Sequence, residues 1–227
     1  MSIERSKEHS SVRVPTFKFV VIGDMNVGKT SMLISHTTNR FEDGYVPTVF
    51  ENYIQPAIID GRVAQCYYLD TAGQEDYARL RVLSYDDADV FMIVFSLVNR
   101  QSFLNVKNNW YPEALTYCPK AKILLVGSKL DLVASTKEEW MKGELQNEDG
   151  SKPFVDRDEV LEMMEEIGAF DYSECSALTQ EGLSETFTKL INAVSVSKNF
   201  DKESPRGTVR SAGEGKEDSE NKKCCVL

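Results

Sequence analysis

Six short apolar runs punctuate the chain, at residues 17–22, 53–59, 63–69, 90–95, 123–126 and 172–175. Each is bounded by turn-forming residues, and their length and their β-branched and aromatic content are those of strands. Between them, apolar positions recur at the helical period over residues 29–38, 102–115, 157–167 and 181–196, which predicts four helices. Asp60-Gly61 separates the second and third runs, a strong signal for a hairpin and hence for one antiparallel pair. Most of the other runs lead into a helical pattern. That alternation predicts an α/β fold, a six-stranded mostly parallel sheet with helices on both faces. Ligands of such folds sit beyond the carboxyl ends of the strands. The loops to inspect therefore follow Ile22, Leu69, Val126 and Cys175.

The alternation is confined to residues 16–197. Residues 1–15 form a polar lead-in expected to be flexible, and 198–227 hold almost no large apolar residue until the end, the composition of a disordered tail. Within the domain, residues 134–152 are charged and poor in core residues, and 137–149 are expected to be a solvated acidic helix. With 227 residues, 41% hydrophobic and 27% charged, the chain fits one globular domain plus extensions and excludes collagen-like or wholly disordered classes. A net charge of −10 argues against a general nucleic-acid binder. The longest apolar run, 90–98 with one serine, is far short of the ~18 residues that span a bilayer. The N-terminus lacks the apolar core of a secretory signal, and Ser2 excludes myristoylation. Cys66, Cys118 and Cys175 are isolated and expected to be buried thiols of a reducing compartment. His9, His36, Trp110 and Tyr111 are expected to pack or lie on the surface, not to take part in chemistry.

The loop after the first strand reads Gly23-Asp24-Met25-Asn26-Val27-Gly28-Lys29-Thr30-Ser31. Residues 23–30 match the phosphate-loop pattern G-x-x-x-x-G-K-S/T between a predicted strand and helix. Inward backbone N–H groups would wrap phosphates, with Gly28 permitting close approach and the helix N-terminus adding positive potential. Lys29 would reach the β and γ phosphates, and the Thr30 hydroxyl a Mg²⁺ ion.

Ser128-Lys129-Leu130-Asp131 follows the fifth strand. Asp131 can accept hydrogen bonds from N1–H and the 2-amino group of guanine, paired donors that adenine lacks. The Lys129 stem can cover one face of the base, and Ser176, Ala177 and Leu178 can supply further backbone donors. After the third strand, Asp70 can hold Mg²⁺ through water, the Gly73 N–H can sense a γ-phosphate, and Gln74 can orient the attacking water. Thr48 is placed to reach the metal with its hydroxyl.

The chain resembles a small GTPase of the Ras superfamily, most closely the Rho/Rac branch, over residues 16–197. The words that carry the likeness are YVPTVFENY (45–53), DTAGQEDYARLR (70–81), SLVNRQSFLNV (96–106), WYPEAL (110–115), VGSKLDL (126–132) and ECSALTQEGL (174–183). The resemblance implies a GTP/GDP switch with Mg²⁺ acting in signalling, and actin cytoskeleton and membrane dynamics as its field. It implies two nucleotide-sensitive loops, about 41–53 and 70–83, with Phe41 against the base edge and Tyr45 over the phosphates. Exchange factors, GTPase-activating proteins, a dissociation inhibitor and effectors are the partners implied, on a monomer. The interval 134–152 falls where Rho proteins carry an extra helix.

Three residues depart from the family pattern. Met25 stands where members usually have glycine, and its Cβ would face the γ-phosphate, where Gln74 and an incoming arginine finger must also fit. Slow intrinsic hydrolysis and weak response to activating proteins are therefore expected, or, as the rival reading, a non-hydrolysing module that stays GTP-bound. Leu69 replaces an aromatic residue that exchange factors read. Ser128 replaces Asn or Thr but keeps a hydroxyl. A third reading, an ATP-using kinase, fails on Asp131. The final Cys224-Cys225-Val226-Leu227 fits a prenylation signal, with Cys224 as acceptor and the terminal Leu favouring geranylgeranyl. One such chain generally needs a second signal. The tail has seven basic and six acidic residues, so it is not polybasic, and reversible attachment to the cytoplasmic face of membranes, plasma membrane foremost, is the expectation.

Overall fold

The structure, a computed structural model, describes residues 14–43, 50–145, 147 and 150–194. Six strands form one sheet: β1 (Thr16–Ile22), β2 (Phe50–Ile59), β3 (Arg62–Thr71), β4 (Val90–Ser96), β5 (Lys122–Ser128) and β6 (Asp171–Glu174). Their spatial order is β2-β3-β1-β4-β5-β6, parallel except for β2. The reversal occurs at Asp60 and Gly61, both at positive φ (50° and 73°) between the paired Ile59 and Arg62. Two such residues make a two-residue hairpin turn whose twist matches the strands.

Alternation along the central strands feeds two cores. Phe17, Phe19 and Val21 of β1 face Leu33, Phe187 and Leu190, which belong to α1 (Lys29–Thr38) and α7 (Leu183–Asn192). Val20 and Ile22 point the other way, toward Trp110, Val160 and Ile167. All seven residues of β4 are buried, as expected of a parallel strand covered on both sides. Burying each large apolar side chain contributes about 1.5–3 kcal/mol, so the two layers clamp β1 and β4 and fix the loops at their carboxyl ends.

The elements differ from the sequence expectations in four places. Glu75–Tyr77 forms a 3₁₀ turn running into a short helix α2 (Ala78–Val82). The helix expected over 102–115 is three joined stretches, α3 (Arg100–Asn105), a π-helical turn (Val106–Trp110) and α4 (Tyr111–Tyr117). The acidic helix expected at 137–149 is instead α5 (Val133–Met141), and the next helix is α6 (Arg157–Ile167). Its side chains are polar around most of its girth, and none of its residues is buried, so no stripe marked its limits. The helix α7 starts at Leu183, because Glu181 is held in the preceding turn by a bond from the Ser176 N–H at 2.9 Å. The lead-in, Tyr45, Thr48 and the tail with Cys224 lie outside the described residues. Among the described residues, no helix is long and apolar enough to cross a membrane. Cys66 and Cys175 are buried, Cys118 is half-buried, and all three are free thiols.

Candidate functional site: a phosphate cradle beside a base pocket

The chain leaves β1 at Ile22 and turns back into α1 at Lys29. Gly28 closes the turn at φ 96°, and a Cβ there would meet nothing within 4 Å. The space in front of this backbone is open, as an anion cradle at a helix N-terminus requires. Lys29 folds across the turn, its Nζ donating to the carbonyls of Gly23 and Asp24, each at 2.8 Å. It is 6% exposed. Burial lowers its pKa to about 8, outweighing the opposite pull of the Asp70 and Asp24 carboxylates.

That shift has a measurable consequence. Phosphate oxygens beside Lys29 would restore its charged form. Above that pKa the free lysine is largely neutral, so at pH 9 GDP binding is expected to take up a substantial fraction of a proton. At pH 7 the uptake is expected to be much smaller. Calorimetric titrations at both pH values, each in two buffers of different ionisation heat, measure this; uptake independent of pH would refute the assignment. The lowered pKa also makes the unfolded chain bind more protons between pH 8 and 10.5. The contribution of Lys29 to the stability of the nucleotide-free fold therefore rises with pH across that window.

Thr30 Oγ1 donates to Asp70 Oδ2 at 2.6 Å. Asp70 is fully buried near the end of β3, in register with Val21 of β1. A hydroxyl and a carboxylate are hard oxygen donors. They suit Mg²⁺, which typically takes one or two protein ligands and fills its shell with water and phosphate. Among the described residues no group of three His, Cys, Asp or Glu gathers at one point, which such a site does not need. Thr30 and Asp70 would hold the ion, and when bound it neutralises charge on the phosphate oxygens.

The second loop packs directly on the first. A Cβ on Gly73 would lie 2.5 Å from the Gly23 carbonyl oxygen and from the Met25 nitrogen. Only glycine permits this approach, and it sets Gln74 at the edge of the same cavity. That cavity, about 380 Å³, is lined by Met25, Asn26, Gly28, Lys29, Thr30, Ser31, Thr71, Ala72, Gly73, Gln74 and Lys129. A second hollow of about 270 Å³ adjoins it through Gly28, Ser31 and Lys129. Phe41, Val27, Met32, Leu132, Cys175, Ala177 and Leu178 give it apolar walls, with Ser128 and the Asp131 carboxylate on its lining. A cationic cradle adjoining an apolar-walled hollow that includes Asp131 is complementary to a purine nucleotide whose base carries donors.

Three expected residues take other parts. The Asp24 carboxylate turns away from the cradle, accepting from Asn105 Nδ2 at 2.7 Å and Trp110 Nε1 at 2.6 Å. Its backbone carbonyl instead accepts from Lys29 Nζ. Ser176 is fully buried, its N–H bonded to Glu181 and its Oγ accepting from the Thr179 N–H at 3.0 Å. It shapes the turn, while Ala177 and Leu178 line the slot. Ser128 Oγ bonds the carbonyls of Val27 at 2.5 Å and Phe95 at 2.9 Å. Its role is thus to tie the phosphate loop to the base-side strand. The sequence reading missed Met32, Leu132 and Cys175 as lining residues; nothing in an apolar side chain distinguishes slot from core. It also missed Arg81, which is buried against the carbonyls of Ala72 and Gln74.

A strand, a glycine-closed anion loop and a parallel sheet presenting both at its carboxyl edge define a phosphate-loop nucleotide-binding protein. The model of the Ras family matches residues 18–196, and the chain belongs to that family. It is a small GTPase switch of the Ras superfamily, a class that binds GTP and GDP with Mg²⁺ and hydrolyses GTP.

Proposed function

We propose that this chain is a Rho/Rac-type switch whose GTP hydrolysis is slowed by Met25. The Rho-type reading rests on the words at 45–53, 70–81 and 174–183, and it is supported by a helix at 133–141 where that branch carries an extra one. The observation that carries the slowed reaction is the place of Met25. The residue is 51% exposed and lines the same cavity as Lys29, Gly73 and Gln74. Gln74 orients the attacking water, and Lys29, Thr30, Thr48 and Asp70 hold the phosphates and Mg²⁺. Phe41, Lys129, Asp131, Ala177 and Leu178 hold guanine. The loops at 41–53 and 70–83 meet effectors, exchange factors and activating proteins.

Freshly purified full-length chain is expected to carry a mixture of GTP and GDP. Its single-turnover hydrolysis is expected below ~10⁻⁴ per second, against ~3–5 × 10⁻⁴ per second for intrinsic Ras hydrolysis. GDP alone with an ordinary rate would refute the slowed switch. GTP alone with no measurable turnover would favour the second reading, a non-hydrolysing binding module, which Met25 favours and the retained Gln74 opposes.

Cys224 is the proposed lipid acceptor, giving reversible attachment to the cytoplasmic face of membranes and a binding site for a dissociation inhibitor. A single prenyl chain with a near-neutral tail holds weakly. Flotation of prenylated protein on anionic liposomes is expected to be partial and salt-sensitive; complete, salt-resistant flotation would contradict it.

A further inference from the structure

Arg81 lies 5% exposed behind the loop that carries Gln74. Its Nη1 donates to the Ala72 carbonyl at 2.9 Å and to the Gln74 carbonyl at 3.2 Å. Glu113 of α4 grips the other edge of the guanidinium with both oxygens, at 2.9 and 2.8 Å. The buried Tyr85 hydroxyl donates to the same carboxylate at 2.5 Å. The Trp110 ring covers the guanidinium at 4.8 Å, and the Trp110 N–H reaches the Asp24 carboxylate of the phosphate loop. One chain of contacts thus runs from the phosphate loop through Asp24, Trp110 and Arg81 to the backbone on both sides of Gly73. Trp110 ends the π-helical turn and Glu113 follows three residues later. A π turn inserts one residue into a helix and re-aims the side chains that follow.

We infer that Trp110 and Glu113 are positioning residues that, through Arg81, set the distance between Gln74 and the phosphate loop and so set the rate of GTP hydrolysis. The inference rests on the reading of Gln74 as the water-orienting group. Its force comes from geometry: the Gln74 carbonyl is anchored from a helix 39 positions further along the chain, and the same helix anchors the phosphate loop. Misplacing a reacting group by about 1 Å costs up to ~10²-fold in rate. Loosening either anchor therefore changes turnover while the phosphate and base contacts stay intact.

The test uses the full-length chain with Met25→Gly, which opens the route through Gln74. Glu113→Gln keeps the shape but loses the charge that holds Arg81. Trp110→Phe keeps a ring over Arg81 but loses the N–H to Asp24, and it serves where Glu113→Gln folds poorly. Either change is expected to slow single-turnover hydrolysis about tenfold while GDP affinity stays within about threefold. Amide hydrogen exchange of residues 73–77 in the GDP-bound protein is expected to quicken about tenfold. With Gln74→Ala also present, the same changes are expected to alter the remaining rate less than twofold. Equal slowing with and without Gln74, or no slowing at all, would overturn the inference. Failure of the unsubstituted chain to bind GDP would instead overturn the reading of the site beneath it.

Discussion

Met25→Gly is expected to raise hydrolysis in the presence of a Rho-type GTPase-activating domain by at least ~10³-fold over the native chain. An arginine finger is worth about 10³–10⁵ in rate, or about 4–7 kcal/mol of transition-state stabilisation. That stabilisation is available only if the guanidinium and Gln74 both reach the γ-phosphate. In the structure Met25 lines the same cavity as Ala72, Gly73 and Gln74. Its own nitrogen is one of the atoms against which Gly73 packs, so the loop has no room to retreat and make space. The groups that bind the ground state lie elsewhere: Lys29 spans the turn, and Thr30 and Asp70 sit beneath it. Affinity for GTP and GDP is therefore expected to change little, and the effect should fall on the rate. Met25→Ala, which keeps the Cβ, should recover only part of the gain. Single-turnover hydrolysis by the native chain and the two variants, with and without the activating domain, measures this series. Equal stimulation of all three would sink the argument.

What could be read ahead of the structure follows from how local each signal is. The phosphate loop is local: eight consecutive residues carry both the turn geometry and the chemistry, and Gly28, Lys29 and Thr30 stand where that pattern puts them. The strands were legible because those of a two-sided sheet are continuous apolar runs, as in β4, and the antiparallel pair because Asp60-Gly61 encodes its own turn. Helix α5 was misplaced because a helix with no buried face leaves no period in the sequence. The π turn at 106–110 was invisible for a different reason. Its apolar spacing differs from that of an α-helix by one residue, within the ambiguity of any amphipathic pattern. Arg81 shows the limit most plainly. An arginine in a charged stretch reads as solvated surface, and its burial depends on Glu113 and Trp110, which only the fold brings to it. Asp24 was assigned to the ligand by its place in the loop, whereas its carboxylate serves Asn105 and Trp110.

Asp131→Asn is expected to change which purine the slot accepts, and this is the second large effect. The slot lining is apolar along Phe41, Leu132, Ala177 and Leu178, so stacking and burial there reward any flat base alike. Discrimination falls to the Asp131 carboxylate. Two hydrogen bonds from guanine N1–H and its 2-amino group to a charged acceptor are worth about 1.5–3 kcal/mol each. Losing both, as in Asp131→Ala, predicts GDP binding weaker by roughly 10²–10⁴-fold, and Asp131→Asn loses at least the bond to the 2-amino group. An asparagine amide keeps an acceptor for N1–H but presents a donor where the 2-amino group would be. It is therefore complementary to xanthine, which carries an oxo group at that carbon. The variant should bind xanthosine diphosphate more tightly than GDP, while Asp131→Ala should lose GDP without gaining either base. The phosphate cradle is untouched in both, so the Mg²⁺ dependence of whatever binding remains should match that of the native chain. Competition titrations with GDP, xanthosine diphosphate and ADP against the three proteins give the answer. Retention of GDP within tenfold by Asp131→Asn, or native binding of ADP as tight as GDP, would remove Asp131 from the recognition of the base.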